Sequence, residues 1–185
     1  IVARRAAGSV CDRNGRLSTR RMRQLAELRE EDDTLSRRRF SIQNELDTDA
    51  LENELCQRLM TSPGVGIIDA TALFAASGNA SQFENPRELS VWLGLTPKQH
   101  ASGGKSFMGR MSKRGNQYLR KQLIHGARTL IHRTKEKNDK FSVWVKQLVE
   151  RRGVHIGVVA IGNRLARLAW ILLHRNEDYK TVSTS

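Results

Sequence analysis

Apolar residues recur at helical spacing, with charged residues between them, from Thr19 to Met60. This stretch has no proline, and three of its leucines form an i, i+4, i+8 stripe: Leu51, Leu55 and Leu59. The pattern predicts a long helix or a helical hairpin over residues 19–60, with a break near Asp47-Thr48-Asp49. A charged helix with a narrow apolar stripe is typical of a coiled coil. We therefore expect either an arm that joins two copies of the chain or a helix that packs on its own domain.

Shorter helices are predicted in the rest of the chain. They cover residues 67–76, a segment opened by Asn85-Pro86, and residues 116–133, 141–149 and 158–174. The glycine-rich residues 94–111 are predicted to form a loop. Because no segment predicts a strand, the expected fold class is all-α, with one compact helical domain over residues 61–175. Residues 1–18 are predicted to be loose and residues 176–185 to be a disordered tail.

A proline- and glycine-rich turn, Pro63-Gly64-Val65-Gly66, separates the first helical segment from the next. A helix, a Gly-x-Gly turn and a second helix resemble the helix-hairpin-helix element. In that element, free backbone N–H groups at a helix N-terminus bind a phosphate of the nucleic-acid backbone, and this contact does not depend on the base sequence. Gly64 and Gly66 are therefore candidate DNA-binding residues. The alternative is a plain turn between two helices, which glycine and proline also mark.

Positive charge is concentrated in one part of the chain. The 185 residues carry a formal net charge of +13, and residues 98–152 hold 15 basic and 3 acidic side chains, a net +12. A solvated surface without a charged partner usually mixes the two signs. This block therefore predicts a polyanionic partner, a nucleic acid. An aromatic content of 5% argues against stacking on single strands as the main mode of binding.

Several classes of site and location are disfavoured by the sequence. Cys11 and Cys56 are far apart and lack metal-ligand spacing, so they are expected to be unpaired thiols in a reducing cytoplasm. No uninterrupted apolar run approaches the roughly 18 residues of a membrane helix, so no membrane partner is expected. No arrangement of carboxylates predicts a metal site, and the chain is expected to hold no cofactor of its own.

A lone serine, Ser102, precedes Gly103, Gly104 and Lys105, and further cations follow closely along the chain. Glycines without side chains allow another molecule to approach the backbone closely. A hydroxyl on such a segment is suited to attack a DNA phosphate. The neighbouring positive charges would stabilise the negative charge that develops on the phosphoryl group during the attack.

The same stretch carries a family resemblance. The motifs are Gly94-Leu95-Thr96-Pro97, Ser102-Gly103, Gly109 to Asn116 (Gly-Arg-Met-Ser-Lys-Arg-Gly-Asn) and Leu119-Arg120, preceded by Pro63 to Gly66 and Ala70. From about Leu55 to His174 the chain resembles the C-terminal serine domain of insertion-sequence transposases of the bridge-RNA-guided recombinase group. The resemblance implies that Ser102 attacks a DNA phosphate and forms a phosphoserine linkage, with a guide RNA as a further partner.

The resemblance also implies an N-terminal domain whose four acidic residues hold Mg²⁺. We find no such arrangement in this sequence, so the chain is expected to be part of a longer protein and inactive alone. We expect that protein to be cytoplasmic and associated with the nucleoid.

The cations around the serine are assigned to the DNA backbone. The candidates are Lys105, Arg110, Lys113, Arg114, Arg120 and Lys121, and guanidinium is favoured because its planar fork can take two phosphate oxygens. Asn116 either contacts DNA or caps the helix that follows. Ser112 is interpreted as a cap or a phosphate contact, and Ser106 as a bystander. The spacing Gly115-Asn116-x-x-x-Arg120 recurs at Gly162-Asn163-x-x-x-Arg167, although two matches do not establish a repeat.

Two other functions compete with the transposase interpretation. One is a non-catalytic helix-hairpin-helix module that binds duplex or branched DNA by shape and charge, in which Ser102 is an ordinary loop residue. The other is an RNA-binding scaffold, in which the helical arm and the basic face grip a guide RNA. A covalent serine–DNA adduct separates the transposase from the first of these.

Overall fold

The computed structural model describes residues 19–102 and 105–180, which form seven helices and one two-stranded sheet. In chain order these are α1 (Thr19–Glu52), α2 (Glu54–Met60), α3 (Ile67–Ser77), α4 (Pro86–Trp92), β1 (Pro97–Ser102), β2 (Lys105–Met111), α5 (Gln117–Arg133), α6 (Lys140–Arg152) and α7 (Val154–Arg175). The fold is mostly helical, which confirms the predicted class, and the strand pair is the exception.

The predicted long helix forms, but it ends later than expected. Asn53 leaves helical geometry, and its side chain accepts hydrogen bonds from the amides of Leu55 and Cys56, so it caps α2. The break therefore lies at Asn53, and the prediction of a break at residues 47–49 was wrong. Leu51 is 61% exposed whereas Leu59 is fully buried, so the leucine stripe does not form one continuous surface.

The chain divides into two compact units between Glu45 and Leu46, fifteen residues before the boundary expected at residue 60. In the first unit, the described residues 19–45 are helical, and their large apolar side chains stay in solvent: Leu28 is 60%, Leu35 is 58% and Phe40 is 68% exposed. This stretch is called the arm below. Its apolar residues are not buried within its own unit.

The second unit is organised around α7, which packs against α2, α4, α5 and α6. Its inward positions Ile161, Leu165 and Ala169 are fully buried. The stripe predicted for α5 is confirmed, since its four members are all buried: Leu119, Leu123, Ala127 and Leu130. Burying a leucine side chain stabilises the folded state by about 2 kcal/mol, so these two helices supply much of the core.

Helix α7 is also long and apolar enough, by length and composition, to cross a membrane, and it is the single such helix in the described ranges. The search for uninterrupted apolar runs overlooked it because polar residues interrupt its sequence. Within its apolar window, 56% is buried inside the protein. Four helices pack around α7, so its apolar composition is that of a core helix.

The segment predicted to be a loop forms an antiparallel hairpin instead. Strands β1 and β2 pair so that Ser102 lies opposite Lys105 and His100 opposite Phe107, with an irregularity between Pro97 and Gln99. The prediction that no strand forms was therefore wrong. A Gly-Gly pair between two short runs is a sequence signal for a hairpin, and Gly103-Gly104 carries it. These two glycines lie outside the described residues.

The chain beyond α7 is partly held in place. Asn176 adopts a left-handed conformation at the end of the helix, and its side-chain oxygen accepts a hydrogen bond from Arg58 at 2.7 Å. The backbone amide of Tyr179 donates to the hydroxyl of Thr61 at 2.9 Å. Residues 176–180 thus differ from the predicted disordered tail. The rest of that tail and residues 1–18, which were predicted to be loose, lie outside the residues that the structure describes.

Candidate nucleic-acid interface

Two motif segments that are distant in sequence meet at the base of the hairpin. The amide of Ser112 donates to the carbonyl of Thr96 at 2.9 Å, and the amide of Lys113 donates to the carbonyl of Gly94 at 3.2 Å. These bonds continue the strand pairing beyond Pro97 and Met111, where the hairpin ladder ends. They close the base of the hairpin, and the amide of Leu95, which donates to the carbonyl of Ser90 at 3.0 Å, ties that base to α4.

Two glycines make this close approach of the backbones feasible. Gly94 has a φ of +70° and Gly115 a φ of +100°, both in the left-handed region that favours glycine. A Cβ atom on Gly94 would overlap the carbonyl oxygen of Arg114, and one on Gly115 would overlap that of Trp92. The glycines of these motifs thus have a structural cause, which is the packing of one main-chain segment against the other.

Ser102 is the last residue of β1, and its backbone pairs with that of Lys105, the first residue of β2. The two residues that the sequence assigns to the nucleophile and its neighbouring charge are therefore brought together by the register of the strands. The side chains of residues 100–108 lie outside the description, which includes those of Ser102, Lys105 and Ser106.

Exposed cations follow the hairpin along the chain. Arg110 lies on β2, Lys113 and Arg114 lie in the connection to α5, and Lys121 lies in the second turn of α5; all four are exposed. Lys113 has a φ of +55°, a conformation that costs a non-glycine residue about 1 kcal/mol or more. This strained lysine is one of the residues predicted to bind DNA.

Two predicted DNA ligands have contacts within the chain. A guanidinium nitrogen of Arg120 donates to the carbonyl of Leu93 at 3.0 Å, so this half-buried cation is tied to the end of α4. The side chain of Asn116 accepts a hydrogen bond from the amide of Leu119 at 3.1 Å and caps α5. Asn116 is therefore the cap, and the capping role expected for Ser112 was wrong.

The turn at Pro63 to Gly66 is held by internal contacts. Gly64 has a φ of +80°, and a Cβ atom there would lie 2.6 Å from the Leu130 side chain, while its carbonyl oxygen lies against Gly126 of α5. The amide of Gly66 donates to a carboxylate oxygen of Asp69 at 3.2 Å. A phosphate at this amide would have to displace that carboxylate. DNA binding by Gly64 and Gly66 stays a prediction, and the observed contacts favour a turn that packs α3 on α5.

Asp69 itself has a perturbed carboxyl group. Its half-buried position raises its pKa because burial disfavours the charged form, and the amide of Gly66 and the nearby His125 oppose that rise. His125 is exposed on α5, and Asp69 lies close to this part of α5, since a Cβ atom on Gly126 would be 3.8 Å from its carboxylate.

A second basic feature was not singled out from the sequence. Arg87 of α4 and Arg167 of α7 line a cleft of about 510 Å³ beside the start of β1, together with Ser90, Thr96, Gln99 and Asn163. The side-chain amide of Asn163 donates to the carbonyl of Leu95 at 3.4 Å. The recurrence of Gly-Asn-x-x-x-Arg was the available signal, because both copies contact the chain between Leu93 and Leu95.

The described residues contain no group of three or more His, Cys, Asp and Glu side chains that could hold a metal ion. The family resemblance implies Mg²⁺ in an N-terminal domain, and the described residues offer it no site of three or more such ligands. The cluster Glu30-Glu31-Asp32-Asp33 lies along the exposed arm helix.

Comparison with known proteins agrees with the motifs. Residues 56–142 match the family model described as Transposase IS116/IS110/IS902 family. That range begins in α2 and ends in α6, so it includes the hairpin and α5.

Three curated relatives carry transposase names. The chain is 46% identical over 138 residues to the transposase for insertion sequence element IS1111A of Coxiella burnetii, covering 75% of this chain and 38% of that protein. It is 39% identical over 156 residues to a probable family 20 transposase of Pseudomonas aeruginosa, covering 84% and 46%. It is 34% identical over 131 residues to the transposase for insertion sequence element IS1328 of Yersinia enterocolitica, covering 71% and 39%.

The chain thus spans between 38% and 46% of the length of these three relatives. The range matched by the family model contains α4, both strands and α5, and it ends before α7. The family match over residues 56–142 and the three relatives support a relation of this chain to the IS116/IS110/IS902 family of transposases.

Proposed function

We propose that this chain binds DNA and supplies Ser102 as the nucleophile for strand cleavage and exchange in a transposase. The observation that carries the proposal is the hairpin. Its register brings Ser102 and Lys105 together, its base is bonded to the helical unit, and exposed cations follow it along the chain. A nucleophile on a fixed base requires less ordering in the transition state than one on a free loop.

In the proposed reaction the Ser102 hydroxyl passes its proton to water and its oxygen attacks phosphorus in the DNA backbone. A bond forms between that oxygen and phosphorus, and the bond from phosphorus to one neighbouring sugar oxygen breaks. The departing oxygen takes up a proton and leaves as a hydroxyl group. The phosphoserine linkage can then be attacked by a hydroxyl end of another strand, which joins the strands and restores the serine.

The cations have two tasks in this proposal. Arg110, Lys113 and Arg114 would hold the backbone through charge-assisted hydrogen bonds, and the nearest of them would stabilise the additional negative charge of the transition state. Arg120, Lys121 and Lys105 would add positive charge along the same path. Each step uses a serine or a cation of this chain.

We further propose the partners that the family resemblance implies, a guide RNA and a Mg²⁺ site in the full-length protein. A location in the cytoplasm, with the nucleoid, follows from a chromosomal DNA substrate. These parts of the proposal rest on the resemblance and the family match, and the test below is arranged so that the serine is tested separately from them.

The decisive experiment replaces Ser102 with alanine in the full-length transposase, supplied with guide RNA and Mg²⁺. We expect recombination of a marked element to fall to background while DNA affinity stays within about twofold, because the change removes the nucleophile and none of the charge that dominates binding. Denaturing gels of nicked substrate should show a protein–DNA adduct for the wild type and none for Ser102→Ala.

Ser106→Ala and Ser112→Ala are the matched controls, since each removes one hydroxyl close to Ser102 in sequence. Both should keep the adduct and lose no more than the ~1 kcal/mol of a neutral hydrogen bond. If the adduct persists in Ser102→Ala, the nucleophile is another residue. If the wild type binds DNA but never forms an adduct, the chain is the non-catalytic binding module described above.

We also propose that the arm joins two copies of the chain. Leu28, Leu35 and Ile42 are exposed and seven residues apart, which is the repeat of a coiled-coil seam. Leu28→Asp with Leu35→Asp should halve the solution mass measured by light scattering at micromolar concentration. Ser36→Asp with Thr34→Asp introduces the same charge next to the row and should keep the mass. An unchanged mass in the leucine variant would contradict the proposal.

A further inference from the structure

The cleft lined by Arg87, Ser90, Thr96, Gln99, Asn163 and Arg167, called the arginine cleft below, has the composition of an anion site. None of its described lining residues is acidic. Neither arginine forms an ion pair with any residue in the described ranges. Both side chains are exposed, so each guanidinium is accessible to an anion from solution.

The cleft is built on rigid elements. Arg167 lies on α7 between Ala166 and Ala169, which are both fully buried, so the helix that carries it is fixed in the core. Arg87 lies in the first turn of α4, where its amide donates to the side chain of Asn85 at 3.1 Å. Asn163 is oriented by its bond to Leu95. The main chain that carries both arginines is therefore fixed, and the two side chains are exposed.

The chemistry of the cleft fits a phosphodiester. A guanidinium fork can donate two parallel hydrogen bonds to two phosphate oxygens, and the neutral side chains of Thr96, Gln99 and Asn163 offer further polar contacts of the kind found at the nucleic-acid backbone. Six of the eight lining residues are polar, and Val91 and Pro97 are the apolar ones, so the lining favours a polar ligand over a base or an aromatic ligand.

The position of the cleft relates it to Ser102. Gln99 lines the cleft and lies on β1 three residues before Ser102. At about 3.4 Å per residue, the strand between them spans roughly 10 Å. Phosphates on one strand of B-form DNA recur about every 3.4 Å along the axis, so a DNA strand that runs along β1 would bring a phosphate to the cleft within roughly three steps of the one at Ser102.

We infer that the arginine cleft binds a DNA backbone phosphate close to the one attacked and so fixes where the strand lies on the hairpin. This inference rests on the proposed DNA-binding function, and it adds a contact on α4 and α7 to those assigned to the segment between β2 and α5. Arg87 and Arg167 are positioning residues in this role, because they would hold DNA outside the reacting atoms.

The test measures binding of the 185-residue chain to a labelled duplex DNA by fluorescence anisotropy between 50 and 300 mM salt. Arg87→Gln with Arg167→Gln should weaken binding about tenfold. It should also reduce the slope of log affinity against log salt by about 0.9, the value for one lost phosphate contact. Arg87→Lys with Arg167→Lys keeps the charge and should recover most of the slope.

The matched control is Arg151→Gln with Arg152→Gln, two exposed arginines in the last turn of α6. It removes the same charge from the same unit and should leave the slope within about 0.3 of the wild-type value. Equal losses in the cleft and control variants would show a long-range charge effect and overturn the inference. Circular dichroism melts of each variant identify any loss that comes from unfolding.

The outcomes separate this inference from the function on which it rests. If the wild type shows no salt-dependent DNA binding, the proposed function fails. If the wild type binds and the cleft variant keeps its slope, only the inference fails. The same measurement is then repeated with an RNA duplex of equal length. A loss confined to RNA would mean that the cleft serves RNA, and the DNA assignment would be wrong.

Discussion

The turn at Pro63 to Gly66 and the base of the hairpin are the two glycine-bearing segments assigned to DNA from sequence, and they differ in what surrounds their glycines. In the turn, the amide of Gly66 bonds to the carboxylate of Asp69, so the group expected to hold a phosphate already has an acidic partner. At the hairpin base, Gly94 and Gly115 admit the backbones of two motif segments, and exposed cations stand beside them.

The difference shows what glycine in a motif indicates. In both segments the glycines are explained by packing, because Gly64 and Gly126 also allow one backbone to approach another. Whether the segment can then bind an anion depends on the neighbouring charge, which is a carboxylate at the turn and a set of lysines and arginines at the hairpin. The predictions that follow test this distinction, from the largest expected effect to the smallest.

Gly115→Ala should destabilise the protein severely. The added Cβ would overlap the carbonyl oxygen of Trp92, and the residue would keep a φ of +100°. Strain and overpacking together should cost about 3 kcal/mol or more of the free energy of unfolding. Urea unfolding, followed by the far-ultraviolet signal, measures the loss.

Gly66→Ala is the contrasting variant. A Cβ at Gly66 would meet only the Asp69 carboxylate at 3.9 Å, and the backbone there is extended. We expect it to cost less than about 1 kcal/mol and to leave DNA affinity unchanged. If Gly66→Ala unfolds the protein or abolishes DNA binding, the contrast between the two segments does not hold.

Arg120→Gln and Arg110→Gln should separate stability from DNA binding. Arg120 donates to the carbonyl of Leu93 from a half-buried position, so its loss should cost about 2 kcal/mol of unfolding free energy. Arg110 is exposed, and its loss should change stability by no more than about 0.5 kcal/mol while lowering DNA affinity. Thermal melts and anisotropy titrations of both variants measure the two quantities. An Arg120 variant of unchanged stability would contradict the assigned contact.

Lys113→Gly should gain stability and lose affinity. Glycine tolerates the φ of +55° at this position, so relief of strain, less the entropy of the freer unfolded chain, should add roughly 0.5 kcal/mol. Lys113→Ala removes the same charge and keeps the strained φ, so it should lose affinity without the gain. Urea titrations and salt-dependent anisotropy test both. If Lys113→Gly binds DNA as tightly as the wild type, Lys113 is not a phosphate contact.

Asp69→Asn should alter the pH dependence of stability with little effect at neutral pH. Burial raises the pKa of Asp69 above 3.8 in the folded state, so the folded protein binds more protons than the unfolded one just above that pH. The contribution of this group is complete below pH 3.8 and is lost as pH rises through the raised pKa. Urea midpoints from pH 3.5 to 7 should show this decline in the wild type, and it should be absent in Asp69→Asn.

Much of the helical structure could be predicted from local sequence. Asn85 and Pro86 open α4 as expected, with the Asn85 side chain accepting from two amides. The apolar stripe of α5 is buried as its spacing predicted. Capping and helical periodicity operate over three or four residues, so a short window of sequence contains the necessary information. The hairpin was missed because its strands are short and its turn signal was interpreted as loop flexibility.

The sequence by itself determined the helices, the concentration of positive charge and the motifs that lie within the family match. Tertiary structure alone decided the rest. It showed that Arg120 is tied to Leu93, that Gly94 and Gly115 face distant main chain, and that Arg87 and Arg167 share a cleft. These relations join residues from 20 to 80 positions apart. Local propensity does not encode such distances, because they arise only when helices pack around a common core.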